Sequence, residues 1–511
     1  MSLNLVRNSK VFFTTNVDST TGKVNAASTA AYTSSNTFEL LVLDGFTFSQ
    51  NVNNETVTVS EAGSAPTRGQ RNFTTSLAPV DFSMSTYIRP SQLAGSPFTI
   101  QCDESVLWNA LFSDTAIATG SATATTVGVS YSTSTGQLTF TATGTLTYTG
   151  SYTSLPAVGD MVNIGGLTTN ATGTTLTDEV KKLNGIGRVV TSSSTSLVVA
   201  LLDPLRTTSS TISLATANTF NITKSAWQAD LAANSDVAVS GASTGMSEKN
   251  QLQKFGLLFL IDNVLYAVDN CALNQVTIDF GLDQIATAQW SGQATAIREL
   301  SRAVKASGGT FSGGTTSDVG SSGAYQAANN SANYITNKLS TATLKALKAI
   351  GTSISANDSY IIPLTGGSIT INNNISYITP ATLGIVNTPI TYYTGVRAIT
   401  GTMNAYLRTP SSGTTNTGEL FKDMVTEAGL GTAAIIEPMF ELGIQIGGSS
   451  NIVRVDLDMP TVSLTVPALS VEQIVSVAIN FTAQGYTYNS TQANQSFDVT
   501  QPNELTVRYY S

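Results

Sequence analysis

The sequence predicts a mainly β protein with two tandem β-sandwich or barrel-forming units, each carrying one short helix, and a small β-domain inserted into the first unit. Three observations predict this fold class: one order of strands, proline and helix occurs twice, glycine outnumbers proline (41 Gly, 14 Pro), and only 11% of residues are charged. Such a composition favours strands and turns. The 511 residues also exceed what one ordinary core requires.

Each copy of the repeat opens with a strand, a polar turn and a second strand. In the first copy, segments 46–48 and 56–59 flank an asparagine-rich stretch at 51–54. The second copy has the same order within 369–378. Alternating apolar and polar residues indicate half-buried strands, and asparagine favours the turn between them.

A strand that ends at a proline and a short amphipathic helix come next. The strand covers 82–90 in the first copy and 401–410 in the second. Proline ends both strands because it cannot donate a hydrogen bond to a neighbouring strand. Apolar residues at helical spacing then predict helices at 104–112 and 419–427.

Two further strands close each copy. Residues 275–280 and 286–290 of the first copy correspond to 461–466 and 475–481 of the second. A repeat of this length indicates a duplicated structural unit, with about five to seven strands and one helix in each copy.

These correspondences divide the chain into consecutive regions. The insertion is rich in Ser, Thr and Gly, and insertions of this size are tolerated at exposed loops. Short alternating runs predict its strands at 137–148, 160–164, 187–190 and 196–202. We expect a first unit at 1–113 and 251–299, an inserted outward-facing β-domain at 114–250, a crossover at 300–360 with a weak helical piece at 334–350, a second unit at 361–485, and a polar C-terminal tail at 486–511.

The charge and the missing residue types argue against several classes of function. The net charge of -9 opposes binding to the phosphates of nucleic acid. The chain has no histidine, so the usual general base and zinc ligand are absent, which argues against an enzyme. Cys102 and Cys271 match no metal or redox spacing and are expected to be free buried thiols, although one bridge between them stays open.

The sequence also predicts where the protein is made. Residues 1–13 lack an apolar segment of signal-peptide length. The longest apolar run, 255–268, is shorter than the roughly 20 residues of a membrane helix. We therefore expect no membrane span and synthesis in the cytosol.

Two acidic patterns in the sequence have residue types found at catalytic or calcium sites. The pairs Asp103–Glu104 and Asp456 with Asp458 have the residue type of glycosidase acids, but the first opens a helix whose dipole stabilises negative charge, and the second shares a strand face that is solvent-facing or interfacial. Residues 17–22 and 269–270 faintly resemble calcium loops but lack enough acidic ligands, so turns are the better interpretation. The sequence predicts no cofactor.

A long loop at 61–71 concentrates two arginines in a chain that is poor in charge. A solvated loop and an arm that reaches a neighbouring subunit both explain it. In the second interpretation Glu61, Arg68 and Arg71 make the subunit or ring contact, since arginine binds carboxylates through two parallel hydrogen bonds.

Taken together, these segments resemble the tail tube proteins of long-tailed bacteriophages, in particular the duplicated type that forms trimeric rings. The resemblance rests on residues 1–8, the 61–69 loop, 83–88, 365–374 with 379–380, and Leu407 in its strand. It covers most of both repeats but leaves the insertion at 114–250 unexplained. It implies two tail-tube-like units per chain and a ring whose inner wall is a β-barrel closed by sheets of all subunits.

The resemblance implies a mechanical function as a virion structural protein. The chain would self-assemble in the host cytoplasm into stacked rings of three chains rather than six, forming the tail tube that conducts the genome at ejection. Implied partners are the chain itself, a tape-measure protein, tail tip or baseplate and terminator proteins, and a sheath if the tail contracts. Double-stranded DNA would pass without specific binding, because three chains at -9 each repel it if the acids face the lumen.

Two other classes of function stay open. A secreted or virion-surface β-domain adhesin that binds a receptor or glycan is also compatible with Ser- and Thr-rich β-domains of low charge. It does not predict two matching copies with the same order of strand, proline and helix. A hydrolase would need a carboxylate pair whose removal abolishes turnover.

Overall fold

The structure, a computed structural model, describes much of the chain in separate segments. These are residues 9–25, 32, 36–43, 45–57, 71–92, 100–112, 117–118, 121–124, 127–132, 135–142, 148–150, 161–165, 183, 186–201, 211–214, 220–223, 227–232, 252–261, 264–282, 284–300, 320–321, 334–347, 358–383, 386–408, 416–429, 440–447, 454–471, 474–484 and 503–510. The mainly β fold class predicted from the sequence is confirmed.

The chain starts with strands and reaches its first helix near residue 105. The elements are β1 (Ser9–Thr14), β2 (Thr37–Leu40), β3 (Thr47–Val57), β4 (Arg71–Tyr87), β5 (Pro90–Gln92), β6 (Ile100–Cys102) and α1 (Ser105–Phe112). The helix lies where its apolar spacing predicted it, and it buries Leu107, Trp108, Ala110, Leu111 and Phe112.

The next strands are short, and most of them form a sheet of their own. They are β7 (Ile117–Ala118), β8 (Ser121–Ala124), β9 (Val127–Ser132), β10 (Gln137–Ala142), β11 (Tyr148–Gly150), β12 (Met161–Gly165), β13 (Ile186–Ser192), β14 (Ser196–Leu201), β15 (Thr211–Leu214), β16 (Phe220–Thr223) and β17 (Trp227–Ala232). Among the described residues, strands β8 to β16 pair only with one another and form a nine-stranded sheet. Strands β7 and β17 instead join the main sheet. We call the nine-stranded sheet the insert sheet.

The middle of the chain adds long strands and one short 3₁₀ turn at Asn337–Leu339. The strands are β18 (Phe255–Ile261), β19 (Val264–Asp279), β20 (Thr287–Ala294), β21 (Ala296–Leu300), β22 (Gly320–Ser321) and β23 (Thr341–Ala346).

The rest of the chain contains the second helix, again at its predicted place. The elements are β24 (Ser359–Asn372), β25 (Ile375–Ile378), β26 (Thr391–Thr394), β27 (Ala398–Tyr406), α2 (Thr417–Gly429), β28 (Phe440–Ile446), β29 (Arg454–Leu464), β30 (Ala468–Val471), β31 (Val475–Ala483) and β32 (Asn503–Tyr510).

The two halves of the chain share one set of antiparallel strand pairings. In the first half these are β1–β2, β1–β18, β18–β19, β19–β20, β20–β4 and β3–β4. In the second half the pairings are, in the same order, β23–β24, β23–β28, β28–β29, β29–β31, β31–β27 and β24–β27. The division into domains stays a prediction, but the pairings of the halves correspond one to one, with β24 taking the places of both β2 and β3.

One hydrophobic core fills the space between the layers and runs through both halves. Phe13 of β1 stacks on Phe255 of β18 with ring centroids 4.5 Å apart. Trp108 of α1 meets Trp290 of β20 edge to face at 4.9 Å. Since fully burying one such side chain contributes about 1.5–3 kcal/mol, this shared core holds the halves in one arrangement.

Three sequence interpretations are corrected by the strands. The expected turn at 51–54 is part of β3, whose register with β4 shifts twice in this stretch, and Asn53 Nδ2 donates to Ser76 Oγ at 2.9 Å across the strand pair. The expected helical piece at 334–350 contains β23 instead, because pairing with β24 and β28 overrides the helix propensity of its Ala, Leu and Lys residues.

The expected polar tail also contains a core strand. β32 lies between β17 and β29, and Leu505, Val507 and Tyr509 are fully buried. The polar residues before β32 lie outside the described part of the chain.

Candidate assembly and channel surfaces

One continuous sheet passes through both halves of the molecule, and we call it the inner sheet. Its strand order is β3, β4, β20, β19, β24, β27 and β31. The end of β29 and then β30 pair one after the other along the far edge of β31. The halves meet where the end of β19 pairs with the end of β24. We call this pairing the internal joint.

One face of the inner sheet is apolar and covers the core. Alternate residues along every strand point to this face, as the period of two requires. Examples are Met84, Trp290, Ile278, Ile369 and Ile479, each 2% exposed or less.

The opposite face of the inner sheet is polar and almost free of charge, and we call it the polar face. Its side chains are mostly Ser, Thr, Asn and Gln, together with the acids Asp81 and Asp279. The stretches that pair with one another from β4 across to β31 contain no Lys or Arg, since Arg71 lies at the start of β4, beyond its pairing with β20. Representative members are Thr47, Ser83, Ser291, Thr277, Thr370, Thr402, Asn480 and Thr482.

Side chains on the polar face bond to one another across strands. Thr47 Oγ1 lies 2.8 Å from Ser83 Oγ, and Thr402 Oγ1 donates to Asn480 Oδ1 at 2.8 Å. Gln293 Nε2 donates to Asp81 Oδ1 at 3.0 Å, so one of the two acids is tied to a neutral amide. A surface of this kind binds water through its hydroxyl and amide groups.

Two glycines lie opposite aromatic rings at matching places in the inner sheet. A Cβ on Gly292 would lie 2.5 Å from Phe82 Cζ, and a Cβ on Gly401 would lie 2.4 Å from Phe481 Cζ. The rings therefore fill the space that a side chain would take, and the strands keep a close approach in both halves.

The predicted contact residues fall largely outside the described residues. Glu61 and Arg68 lie outside them. Arg71 is the first residue of β4, and its backbone pairs with Val57 of β3. Their role as a subunit or ring contact stays a prediction.

The pair Asp103–Glu104 is buried. This corrects the expectation that both acids are charged groups stabilised by the helix dipole. Asp103 Oδ2 accepts a 2.5 Å bond from Arg89. Glu104 is 1% exposed, and burial raises its pKa to about 8, so its carboxyl is mostly neutral at pH 7. The hydroxyl of Tyr509 donates to Glu104, and Trp108 Nε1 donates to that hydroxyl at 3.0 Å.

Asp456 and Asp458 are also buried, at 5% and 3% exposure, so they do not face solvent. Arg188 of β13 in the insert sheet binds Asp458 at 2.6 Å and Glu441 at 3.4 Å. Burial raises the pKa of Asp458, and Arg188 opposes that shift. Asp458 and Glu441 therefore hold the insert sheet against the second half, whereas Asp456 pairs with Arg454 of its own strand at 3.2 Å.

A lysine completes this contact between the insert sheet and the second half. Lys345 of β23 lies 3.5 Å from Glu441 and donates to the carbonyl of Leu201 in β14 at 3.0 Å. Sequence reasoning missed Arg188 and Lys345, since nothing in the sequence around either residue indicates an ion pair with a distant strand.

Of the two calcium-like segments, 17–22 contains a turn as expected, whereas 269–270 lies within β19, which corrects the expected turn there. Asp18 Oδ1 accepts bonds from the amides of Thr20 and Thr21 at 3.1 and 2.7 Å. Asp269 binds Arg298 at 2.7 Å and accepts a bond from the amide of Val24. In the described ranges no group of three or more Cys, Asp or Glu residues is placed to hold a metal ion.

Both cysteines are buried and free, so the expectation of free thiols is confirmed and the alternative of a bridge is excluded. Burial raises the pKa of Cys102 and of Cys271 well above the usual value. No helix among the described residues is long and apolar enough to cross a membrane.

Comparisons with known proteins find similarity to phage tail tube proteins, the class that the sequence resembles. The family model described as phage tail tube protein matches residues 183–434. The tail tube protein pb6 of Escherichia phage T5 is 24% identical over 486 residues, which cover 94% of this chain and 73% of that protein.

Proposed function

We propose that this chain, a phage tail tube protein, forms the wall of a tail tube by associating with copies of itself, with the polar face toward the channel. The observation that carries the proposal is the inner sheet. It is continuous through both halves and has one core face and one neutral hydrophilic face.

The polar face suits the passage of a hydrated polyanion. Tight binding to DNA phosphates requires Lys or Arg, whose contacts release counterions, and the stretches of this face that pair from β4 across to β31 carry neither. Asp81 and Asp279 add weak repulsion. The genome would therefore slide along hydroxyl and amide groups without a specific contact.

In the assembled virion we propose rings of three chains, stacked into a tube around a tape-measure protein. Two corresponding halves per chain give such a ring six similar units. Tail tip or baseplate proteins would start the tube, terminator proteins would end it, and a sheath would cover it if the tail contracts. Assembly would take place in the host cytoplasm.

The proposed role is mechanical and involves no reaction. Its support is the absence of histidine from the chain and the engagement of the candidate acids Asp103, Glu104, Asp456 and Asp458 in internal contacts. The adhesin alternative gains no specific observation from the structure.

Negative-stain electron microscopy of the purified protein at high concentration, together with its mass in solution, tests the proposal. Hollow stacked rings are expected, and the ring mass distinguishes three chains from six. A monomer that forms no ring even when seeded with tail tips would overturn the proposal.

A further inference from the structure

The internal joint contains the pattern for a second joint between copies of the chain. At the internal joint, Asp279 pairs with Ser368, Ile278 with Ile369 and Thr277 with Thr370. The hydroxyls of Thr277 and Thr370 lie 3.2 Å apart on the polar face. Ile278 and Ile369 are fully buried on the core face.

Two backbone hydrogen bonds fix which residues of the halves are equivalent. The amide of Ile88 donates to the carbonyl oxygen of Ala286, and the amide of Leu407 donates to the carbonyl oxygen of Val475, both at 3.0 Å. Ile88 is therefore equivalent to Leu407, and Ala286 to Val475. Thr287, directly after Ala286, pairs with Asp279, and Ser476, directly after Val475, pairs with Ser470. Ser470 is therefore equivalent to Asp279.

The same counting on the other side of the sheet identifies the second partner. Thr47 pairs with Ser83 five residues before Ile88, and Ser368 pairs with Thr402 five residues before Leu407. Thr47 of β3 is therefore equivalent to Ser368 of β24.

The two equivalents lie at opposite ends of the inner sheet. In the described part of the chain, β30 pairs only with β31 and β3 pairs only with β4. Unpaired strand edges are templates for pairing with another chain. The free edge of β3 in the first half is therefore equivalent to the edge of β24 that pairs at the internal joint. The free edge of β30 in the second half is equivalent to the edge of β19 that pairs there.

An apolar side chain at the free edge supports this assignment. Leu469 of β30 is equivalent to Ile278 of β19, because Leu469 directly precedes Ser470 and Ile278 directly precedes Asp279. Ile278 is fully buried in the internal joint, whereas Leu469 is 41% exposed. A strand laid along β30 would cover it.

We infer that β30 of one copy pairs antiparallel with β3 of the next copy, with Ser470 opposite Thr47 and Leu469 opposite Phe48. This inference rests on the proposed self-association and states which strands and which register make it. The partner is a second copy of this chain, since the internal joint already shows the two strands to be complementary.

A double-cysteine variant tests the register. Opposed residues of an antiparallel pair lie about 4.5–5.5 Å apart at Cα, within the range of a disulfide. Thr47→Cys with Ser470→Cys should give covalent multimers after mild oxidation of the assembled protein. Six strands lie between the two positions in one chain, each about 4.8 Å from the next, so a bond within the chain is excluded.

Three matched variants complete this experiment. Asp279→Cys with Ser368→Cys should form the equivalent bond inside the free chain and calibrates the geometry. Thr47→Cys with Ala468→Cys is two residues out of register and should cross-link at least about tenfold more slowly, because diagonal neighbours are about 7–8 Å apart. Each single variant measures the background.

Hydrogen exchange of the unaltered protein is the second measurement and needs no substitution. Peptides that cover 47–50 and 468–471 should exchange at least about tenfold more slowly after assembly, because unpaired edge amides become bonded. Peptides over 391–394 should change less.

The outcomes separate the joint from the proposed function. Multimers from Thr47→Cys with Ser470→Cys, together with new protection of both edges, support the joint. Two results would overturn the joint and leave self-association standing. One is rings in which Thr47→Cys with Ser470→Cys cross-links no faster than the single variants, and the other is faster cross-linking of Thr47→Cys with Ala468→Cys. No association of the unaltered protein overturns both.

Discussion

The hydroxyl of Tyr509 donates a 2.5 Å hydrogen bond to the carboxyl of Glu104, although 405 positions separate the two residues. Glu104 precedes α1 in the first half, and Tyr509 belongs to β32, which pairs with β29 of the second half. This contact joins the two halves through the last strand of the chain.

Removal of this hydroxyl should destabilise the fold without disturbing its shape. Tyr509→Phe leaves the buried Glu104 and Trp108 without their partner, at a cost of about 1–3 kcal/mol in the free energy of unfolding. Urea unfolding of the unassembled chain measures it. Tyr406→Phe, at a residue 52% exposed, is the matched control and should change little. Equal stability of the two variants would contradict the role of the contact.

Stability should fall as the pH rises from 4.5 to about 8 because of Glu104. Its pKa is raised by burial from 4.5 to about 8 in the folded chain, so its contribution is complete below pH 4.5 and is lost as the pH rises through 8. The slope reaches about 1.4 kcal/mol per pH unit for one proton. Glu104→Gln should flatten the curve of unfolding free energy between pH 5 and 9, while the exposed variant Glu55→Gln should leave it unchanged.

Loss of Arg188 should loosen the insert sheet. Arg188→Met leaves Asp458 and Glu441 buried without their main cation, at a cost of about 3–5 kcal/mol. Hydrogen exchange in 186–201 should rise while the inner sheet stays protected. The double variant with Asp458→Leu should recover part of the loss. Lys23→Met, on an exposed lysine, is the control, and an unchanged insert sheet in the Arg188 variant would count against the contact.

Alanine at Gly292 should disturb the inner sheet. Its Cβ would lie 2.3 Å from the backbone oxygen of Ala272, so strands must shift, and we expect a cost of about 1–3 kcal/mol by thermal or urea unfolding. Gly401→Ala should behave similarly, since its Cβ would lie 2.5 Å from the backbone oxygen of Ser368. Gly366→Ala is the matched control, with its nearest atom at 3.9 Å.

Cysteine labelling should identify the channel side of the assembled protein. Thr402→Cys lies on the polar face and should react with a small maleimide but not with a protein-sized one once tubes form. Val425→Cys, on α2 and 42% exposed in the wild-type chain, should react with both reagents. Reaction of Thr402→Cys in tubes with the large reagent would contradict the assignment of the polar face to the channel.

Strand existence could be predicted from the sequence better than strand register. The sequence alignment of the halves equated 46–48 with 369–371, whereas the pairings make Phe48 equivalent to Ile369. A slip of two residues leaves every side chain on its predicted face, so the alternation of residue types cannot detect it. Only the hydrogen bonds between distant strands resolve it.

The buried polar contacts were outside the reach of sequence reasoning for a related reason. Asp456 and Asp458 alternate with apolar residues and suggest an exposed strand face, yet both are buried, and Arg188 of β13 in the insert sheet binds Asp458. The segment 504–509 alternates equally well, but its place between β17 and β29 buries both of its faces. Neither partner strand is close in sequence.

The internal joint has a consequence for the timing of ring formation. In a ring built from such chains, every second joint between units is already made when one polypeptide folds, and it does not depend on concentration. Only the remaining joints dissociate on dilution. Gene duplication would thus have moved half of a quaternary contact into tertiary structure, so that a folded subunit enters assembly with that half of the wall already closed.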